Sequence, residues 1–409
     1  MIKALNLRLP EGFDRDLKLL MGSMTFRRVA MGFLHVVRPI YFALLGFSPV
    51  KIGLLLSIAT LVSAFHSIIF GFLSDRYGRK IFLLLGGVFA SLRLIIFAVS
   101  TDFWLLALGQ GMGALGEGAG AGQPVVSGYI SDKTDIMTRP GIFSGLATSN
   151  ALASTLGYLL AALPAFFQTS IGMDVVGAHA LLFWIGTAST LIGILLLIPI
   201  RDTKAQKPVD ESPREASGRR ESWGIIIKFS LVRSTSGIGW GFIQSLLSLY
   251  FFIRFGVGGE VLGPIYAATR LLSVFSYGFI PSVVDRFGEI PSLVGSRIVT
   301  AALTIGFSLS PSYLLALFFM VALRISIMFT MPIRQSFATT IVDPEETATA
   351  IGISSFARMS LRTVAPVIAG YMFETISLSL PFMIGALFIA ANGLLYKSFF
   401  QPEKEDLED

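Results

Sequence analysis

The chain contains no cysteine and only three histidines, His35, His66 and His179. The absence of cysteine excludes disulfides, thiolate metal sites and cysteine nucleophiles. Three scattered histidines are too few for a histidine-rich metal centre, and the sequence shows no paired-carboxylate site of the kind that hydrolases use. We therefore expect neither a metal nor a cofactor, and we expect that the protein is not an enzyme.

Charged residues are scarce as well, at 14% of the 409 residues, whereas hydrophobic residues make up 53%. The mean hydropathy of +0.72 is far above that of a domain with a polar shell. We therefore expect the chain to be embedded in a lipid bilayer. The net charge of +6 does not indicate a nucleic-acid partner, because the basic residues are not gathered on one polar domain.

Twelve apolar runs are each long enough to cross a hydrocarbon layer of about 30 Å once. They lie at 24–46, 51–73, 81–100, 103–126, 142–167, 179–200, 225–254, 261–283, 292–310, 312–334, 348–373 and 379–399. The predicted fold is therefore an all-α integral membrane protein, with twelve transmembrane helices in two pseudo-symmetric six-helix bundles.

Lysine and arginine follow alternate loops. The N-terminal segment and every second loop carry them, whereas the loops at 101–103, 168–178, 310–312 and 374–379 carry none. By the positive-inside rule both termini are predicted to be cytoplasmic. We expect a multi-pass monomer in the plasma (inner) membrane of a prokaryote.

The only long polar stretch, 201–222, is rich in proline, serine and charge, which is typical of a mobile linker. The predicted organisation is an N-terminal bundle at 1–200, a cytoplasmic linker at 201–224, a C-terminal bundle at 225–400 and an acidic cytoplasmic tail at 401–409.

An internal repeat relates the two halves. A shift of 210 residues superposes Gly46 on Gly256, Gly53 on Gly263, Asp75 on Asp285, Arg76 on Arg286 and Gly78 on Gly288. Chance would rarely align so many glycines and an Asp-Arg pair. Because each repeat holds an even number of spans, both halves enter the membrane in the same direction, which predicts a parallel two-fold arrangement.

The turn after the second span reads GFLSDRYGRK, at residues 71–80. It resembles the signature loop of the major facilitator superfamily at essentially every position. A weaker copy, DRFGEI at 285–290, lies between the eighth and ninth spans, where that family repeats the motif. The resemblance covers residues 20–400 and implies a secondary active transporter that exposes one central site to either side of the membrane in turn.

The motif residues are predicted to control gating. The two glycines permit close helix approach and a sharp turn, and Asp75 is placed to meet the positive N-terminal end of a helix from the other half. The basic residues would pair with acidic groups or lipid phosphates. An alternative is that they only determine topology. The predicted gating residues are Gly71, Asp75, Arg76, Gly78, Arg79, Lys80, Asp285, Arg286 and Gly288.

Ionisable residues also occur near the middle of predicted spans, where each costs at least about 2.5–3.5 kcal/mol and is therefore snorkelling, paired or functional. They are Arg38, Arg93, Glu117, Arg270, Arg324, Arg358 and Arg362. Arginine dominates this set. A guanidinium suits a carboxylate or a phosphate, and it repels a cationic drug.

In the family that the chain resembles, spans 1, 4, 7 and 10 line the central cavity. The resemblance therefore implies that Arg38, Glu117 and Arg324 bind substrate, with Trp240 and Gln244 of span 7 beside them. We expect a small, anionic organic substrate. Two alternatives remain: the arginines form internal structural pairs, for instance with Glu117, or the protein is a proton-driven efflux antiporter for drugs or metabolites.

Glu117 is the predicted proton carrier. It stands among four glycines, at 116, 118, 120 and 122, which leave space around its carboxylate. Its protonation would depend on whether a neighbouring arginine is engaged by substrate, which would couple substrate to a proton. The alternative is a glutamate held permanently by an arginine, which would never titrate.

Overall fold

The computed structural model describes residues 13–113, 123–135, 137–202, 216–276, 279–340 and 347–400. Within these ranges all regular structure is helical and there is no strand. The helices are α1 Arg15–Leu44, α2 Pro49–Tyr77, α3 Arg79–Val99, α4 Phe103–Gly113, α5 Gln123–Lys133, α6 Arg139–Leu160, α7 Leu163–Ile171, α8 Val175–Leu197, α9 Ala216–Gln244, α10 Leu247–Phe255, α11 Gly259–Ser276, α12 Ile280–Phe287, α13 Glu289–Leu309, α14 Tyr313–Thr340, α15 Thr347–Thr375 and α16 Leu380–Phe400.

These helices correspond to the predicted spans, so the all-α membrane fold is confirmed. Two spans consist of two helices each, α6 with α7 and α9 with α10, and two others are described in two parts, α4 with α5 and α11 with α12. Eight stretches of the described residues are long and apolar enough to cross a membrane by themselves. A chain built in this way satisfies its backbone hydrogen bonds within each helix, as a lipid environment requires.

Aspartates cap several helix starts. The Asp14 carboxylate accepts a hydrogen bond of 2.7 Å from the backbone N–H of Leu17 at the start of α1. Asp102 accepts from the N–H groups of Trp104 and Leu105 at the start of α4. Each carboxylate satisfies donors that have no partner inside the helix and lies at the positive end of the helix dipole.

The described residues form two compact units. The first holds those within 1–45, 62–209 and 259–267, and the second holds those within 46–61, 210–258 and 268–409. Two segments, which we call the exchanged segments, differ from the predicted halves: 46–61 belongs to the second unit and 259–267 to the first.

Both units use the same packing plan. In the first, α1 packs on α6 and α8, and α3 packs on α8 and α4. In the second, α9 packs on α15 and α16, and α13 packs on α16 and α14. Each pair in one unit has its counterpart, six spans further on, in the other, so the predicted internal repeat extends to the packing.

The repeat also extends to the backbone. Gly46 and Gly256 have φ of +83° and +66°, and Gly78 and Gly288 have φ of +101° and +83°. Side-chain-bearing residues rarely adopt this left-handed region. The repeated glycines therefore make the same turns at the same points of both halves.

The exchanged segments are held by backbone-to-backbone approach. Within the second unit, Gly53 of α2 lies against the carbonyl oxygen of Pro366 in α15, and the Ser57 hydroxyl donates to the carbonyl of Thr363 at 2.6 Å. Within the first unit, Gly263 of α11 lies in the same way against α6. Such packing is possible only where no side chain stands between the helices.

The close approach at Gly53 yields a stability test. A Cβ there would collide with the Pro366 carbonyl, so we expect Gly53→Ala to cost about 1–3 kcal/mol through overpacking. Thermal unfolding of the detergent-purified protein measures the loss.

Gly295→Ala is the matched control for this test, because nothing lies within 4 Å of a Cβ at that exposed position of α13. Alanine should leave the protein as stable or slightly more stable there. Equal melting temperatures for the two variants would contradict the packing described for α2 and α15.

Candidate functional site

Arg79 is the central residue of the signature loop and lies within the first unit. Its Nε donates to Asp132 Oδ2 at 2.8 Å, and Nη1 lies 2.5 Å from Asp75 Oδ1 and donates to Ser74 Oγ at 3.2 Å. The side chain is buried, and its guanidinium lies against Gly128 of α5, which has no room for a side chain. Arg79 therefore joins α2, α3 and α5.

The turn before α3 is tied to the end of α8. The backbone N–H of Lys80 donates to Asp202 Oδ1 at 2.9 Å, and Lys80 Nζ donates to the carbonyl of Ile198 at 2.6 Å. The Asp202 carboxylate also fills the space where Gly78 would carry a Cβ. Glycine is thus required at position 78 both for its backbone angle and for this contact.

A second ionic cluster closes the same end of the unit. Lys133 Nζ lies 2.7 Å from Asp16 Oδ2 and 3.7 Å from Asp14 Oδ2, and the backbone N–H of Arg201 donates to Asp16 at 3.3 Å. Burial acts to raise the pKa of Asp16, but the hydrogen bonds and charges of Lys133 and Arg201 outweigh it and hold that pKa below its usual 3.8.

Sequence reasoning did not identify Asp16, Asp132 or Asp202 as partners of the basic residues. The available signal was their position, since each acid stands at a helix end on the side that the positive-inside rule assigns to the cytoplasm.

Two predicted gating residues of the first copy are on the surface. Arg76 is exposed, with its guanidinium 5.6 Å from the ring of Tyr77. The Asp75 side chain is 53% exposed although it pairs with Arg79. The contact predicted between Asp75 and a helix of the other half stays a prediction.

The second copy of the loop keeps the turn but not the ion pair. Gly288 lies between α12 and α13, and the guanidinium of Arg286 lies 5.4 Å from the ring of Phe287. Glu289 occupies the position of Arg79 in the repeat, and Asp285 is exposed. Gly71, of the first copy, faces Pro124 of α5.

Arg38 of α1 and Gln110 of α4 are brought together within the first unit. Arg38 Nη1 donates to Gln110 Oε1 at 3.1 Å, and Gln110 is fully buried whereas Arg38 is half-buried. His35, one turn earlier on α1, is exposed. Glu117 lies outside the described residues.

The other predicted site residues lie within the second unit in different surroundings. Arg324 Nε donates to Thr269 Oγ1 at 3.3 Å, and Gln244 is exposed. Trp240 is only 5% exposed and packs in an apolar cluster with Ile243 and Leu323. Trp240 is therefore a core residue, whereas Gln244 is exposed and Arg324 makes a polar contact.

Helices long enough to cross a membrane, an internal repeat and a charged loop repeated between spans together define a polytopic membrane protein. A family model described as Major Facilitator Superfamily matches residues 20–365. The chain belongs to this superfamily, as its signature loop implied, and it is a transporter and not an enzyme.

Three similar proteins cover nearly the whole chain. "Multidrug resistance protein 1" of Bacillus subtilis is 24% identical over 386 residues, 91% of this chain and 93% of that protein. An uncharacterized membrane protein of Saccharomyces cerevisiae, YJR124C, is 22% identical over 420 residues, 93% of each chain. A solved structure of a bacterial homolog of the human lysosomal transporter Spinster, inward-facing and occupied, superposes with a TM-score of 0.74 at 16% identity, covering 95% of this chain and 97% of that one. The last likeness shows the fold.

The contacts of Arg79 predict the effect of removing it. Arg79→Gln leaves Asp132, which is 11% exposed, without its cation, so we expect a loss of about 3 kcal/mol in the free energy of unfolding. Denaturant or thermal unfolding in detergent measures the loss.

Two further variants decide whether the pair of Arg79 with Asp132 is responsible for this loss of stability. Arg79→Gln combined with Asp132→Asn should cost less than the sum of the single changes, because the pair acts as a unit. Arg76→Gln, at the exposed position, should cost little. Strict additivity would contradict the pairing of Arg79 with Asp132.

Proposed function

We propose that the protein is a secondary active transporter that moves a small organic anion by alternating access across the cytoplasmic membrane of a prokaryote, with both termini cytoplasmic. The observation that supports this most directly is Arg38, a half-buried arginine of α1 oriented by the buried amide of Gln110 in α4. Family membership is expected to place these two spans around the central cavity.

Gln110 is suited to holding an arginine for ligand binding. Its amide oxygen accepts from one guanidinium nitrogen and so sets the direction of the planar fork. The amide is neutral and does not itself offset the charge, whereas a carboxylate in its place would. An arginine fixed in this way is preorganised for the two parallel hydrogen bonds that a carboxylate or phosphate accepts.

The distribution of charge supports an anion further. Every carboxylate of the described residues lies near a helix end or in a loop, whereas several arginines lie further inside helices that cross the membrane. They include Arg38, Arg93, Arg270, Arg297, Arg324, Arg358 and Arg362. An interior with this bias attracts anions and disfavours organic cations.

A second candidate is a proton-driven efflux antiporter for drugs or metabolites. The relative named "Multidrug resistance protein 1" supports it, since it is similar over nearly its whole length. The sign of the substrate charge separates the two candidates: a transporter of cationic drugs should be stabilised by cationic dyes, and Arg38 opposes their binding.

Ligand binding tests the anion proposal. We expect carboxylates or sugar phosphates, and not cationic dyes, to raise the melting temperature of the purified protein, because a ligand that binds the folded state stabilises it. Arg38→Gln should weaken binding and uptake by the ligand so found at least about tenfold, since it removes charge-assisted hydrogen bonds. Proteoliposome uptake gives the second measurement.

Lys51→Gln is the matched control, because Lys51 is an exposed cation outside the signature loop and the proposed site. Arg38→Lys keeps the charge but loses the fork and should recover only part of the affinity. Unchanged uptake of the right substrate by Arg38→Gln would refute the role of Arg38, and stabilisation by cationic dyes alone would favour the efflux antiporter.

Proton coupling is proposed to depend on Glu117. Glu117→Gln cannot exchange a proton, so uphill accumulation driven by a pH gradient should disappear while exchange of labelled for unlabelled substrate continues. Both are measured in proteoliposomes with an imposed gradient. A variant that still accumulates substrate against its gradient under the same proton gradient would show that Glu117 does not couple transport to protons.

A further inference from the structure

Three arginines on three helices of the second unit lie near Tyr396 of α16, where Tyr396 packs in one cluster with Phe229 of α9, Leu293 of α13 and Ile333 of α14. Arg233 of α9, Arg297 of α13 and Arg334 of α14 all lie within electrostatic range of Tyr396 in α16, and Arg334 also lies within range of Arg233 and Arg297. Arg358 of α15 joins them through its proximity to Arg233 and Arg334. Helices α9, α13, α14, α15 and α16 thus converge on one strongly positive region.

Arg297 is the most buried member of this arginine cluster. It is 0% exposed, and Nε, Nη1 and Nη2 are all buried without a hydrogen-bond partner among the described residues. Its Cβ and Cγ lie 3.0 and 3.7 Å from the position that a Cβ of Gly393 would occupy, so α13 and α16 are in close contact at this point. The side chain is therefore enclosed within the unit.

Two other arginines of the cluster also have a buried guanidinium nitrogen without a hydrogen-bond partner among the described residues. In Arg334 and in Arg358 this nitrogen is Nε. Arg233, Arg334 and Arg358 are half-buried, whereas Arg297 and Tyr396 are buried, so part of the cluster is exposed.

Such an arrangement is unstable without a negative partner. Arginine stays protonated in proteins, and a buried guanidinium without an anion or hydrogen bonds destabilises the fold. Among the described residues, the charged and phenolic groups that act on the four arginines are other arginines and Tyr396, with no carboxylate. Like charges at this proximity also repel one another.

We propose that Arg233, Arg297, Arg334, Arg358 and the Tyr396 hydroxyl form an oxyanion site for a phosphate- or sulfate-type group. Four fixed positive charges suit a dianion, and the planar forks and the phenol donate to its oxygens. The group is either free inorganic oxyanion or the phosphate of a lipid headgroup, and both present the same chemistry.

This oxyanion site differs from the proposed substrate site and does not depend on it. Arg324 and Arg334 are ten residues apart on α14, about 15 Å along the helix axis. All members of the cluster lie within one unit, so the site persists when a transporter of this kind rocks one half against the other. We therefore assign it to a resident or regulatory anion and not to the transported solute.

The test uses the full chain, purified in detergent and exchanged into Tris chloride. We expect inorganic phosphate or sulfate to raise the melting temperature of the protein saturably, beyond the effect of sodium chloride at matched ionic strength. Arg297→Met and Arg334→Gln should each weaken this response more than tenfold. Lys228→Gln, which removes an exposed cation from α9, should leave it unchanged.

A second measurement separates an anion site from a merely structural role. Without phosphate or sulfate, Arg297→Met should be at least as stable as the unmodified protein, because it removes a buried charge that lacks its partner. With saturating phosphate the order should reverse. If phosphatidic acid stabilises the protein through the same arginines and free phosphate does not, the occupant is a lipid headgroup. No arginine-dependent response to phosphate, sulfate or phosphatidic acid would overturn the proposal.

Discussion

An arginine held away from water must be matched by an anion or by lone pairs, and the described part of the structure depends on how each buried arginine meets that requirement. At the end of the first unit, Arg79 is matched by the carboxylates of Asp75 and Asp132. Deeper inside, Arg38 is oriented by a neutral amide. In the second unit, Arg297 has no hydrogen-bond partner among the described residues. On our proposals, Arg79 serves the architecture of the first unit, whereas Arg38 and Arg297 contribute to binding of an anion.

The internal repeat preserves geometry more strictly than charge. Gly78 and Gly288 make the same left-handed turn, and the helices on either side pack according to one plan in both units. Yet the position that carries Arg79 in the first half carries Glu289 in the second. A duplicated fold has therefore kept its backbone while each half has its own electrostatics, because a left-handed turn tolerates few residue types.

The helical architecture, the repeat and its turns could be predicted from sequence, because apolar length, positive-inside charge and glycine spacing are local signals. Side-chain direction could not. Trp240 and Gln244 were predicted to share a site, yet Trp240 packs in the core and Gln244 is exposed, since a helix that is apolar on most faces gives no sequence sign of its orientation. The partners Asp132 and Asp202 were missed for a related reason: contacts between distant residues are set by the tertiary fold.

The two exchanged segments bear on how the chain is made. The first unit includes residues 259–267, which are synthesised only after the linker and the seventh span. During synthesis the N-terminal half therefore at first lacks the helix segment whose Gly263 packs against the backbone of α6. The first unit can complete its packing once residues 259–267 have been synthesised. At that point more than half of the second unit's residues have still to leave the ribosome. Assembly of the two units is in this sense interleaved in time, and a chain severed in the linker would leave each fragment lacking one piece of its own unit.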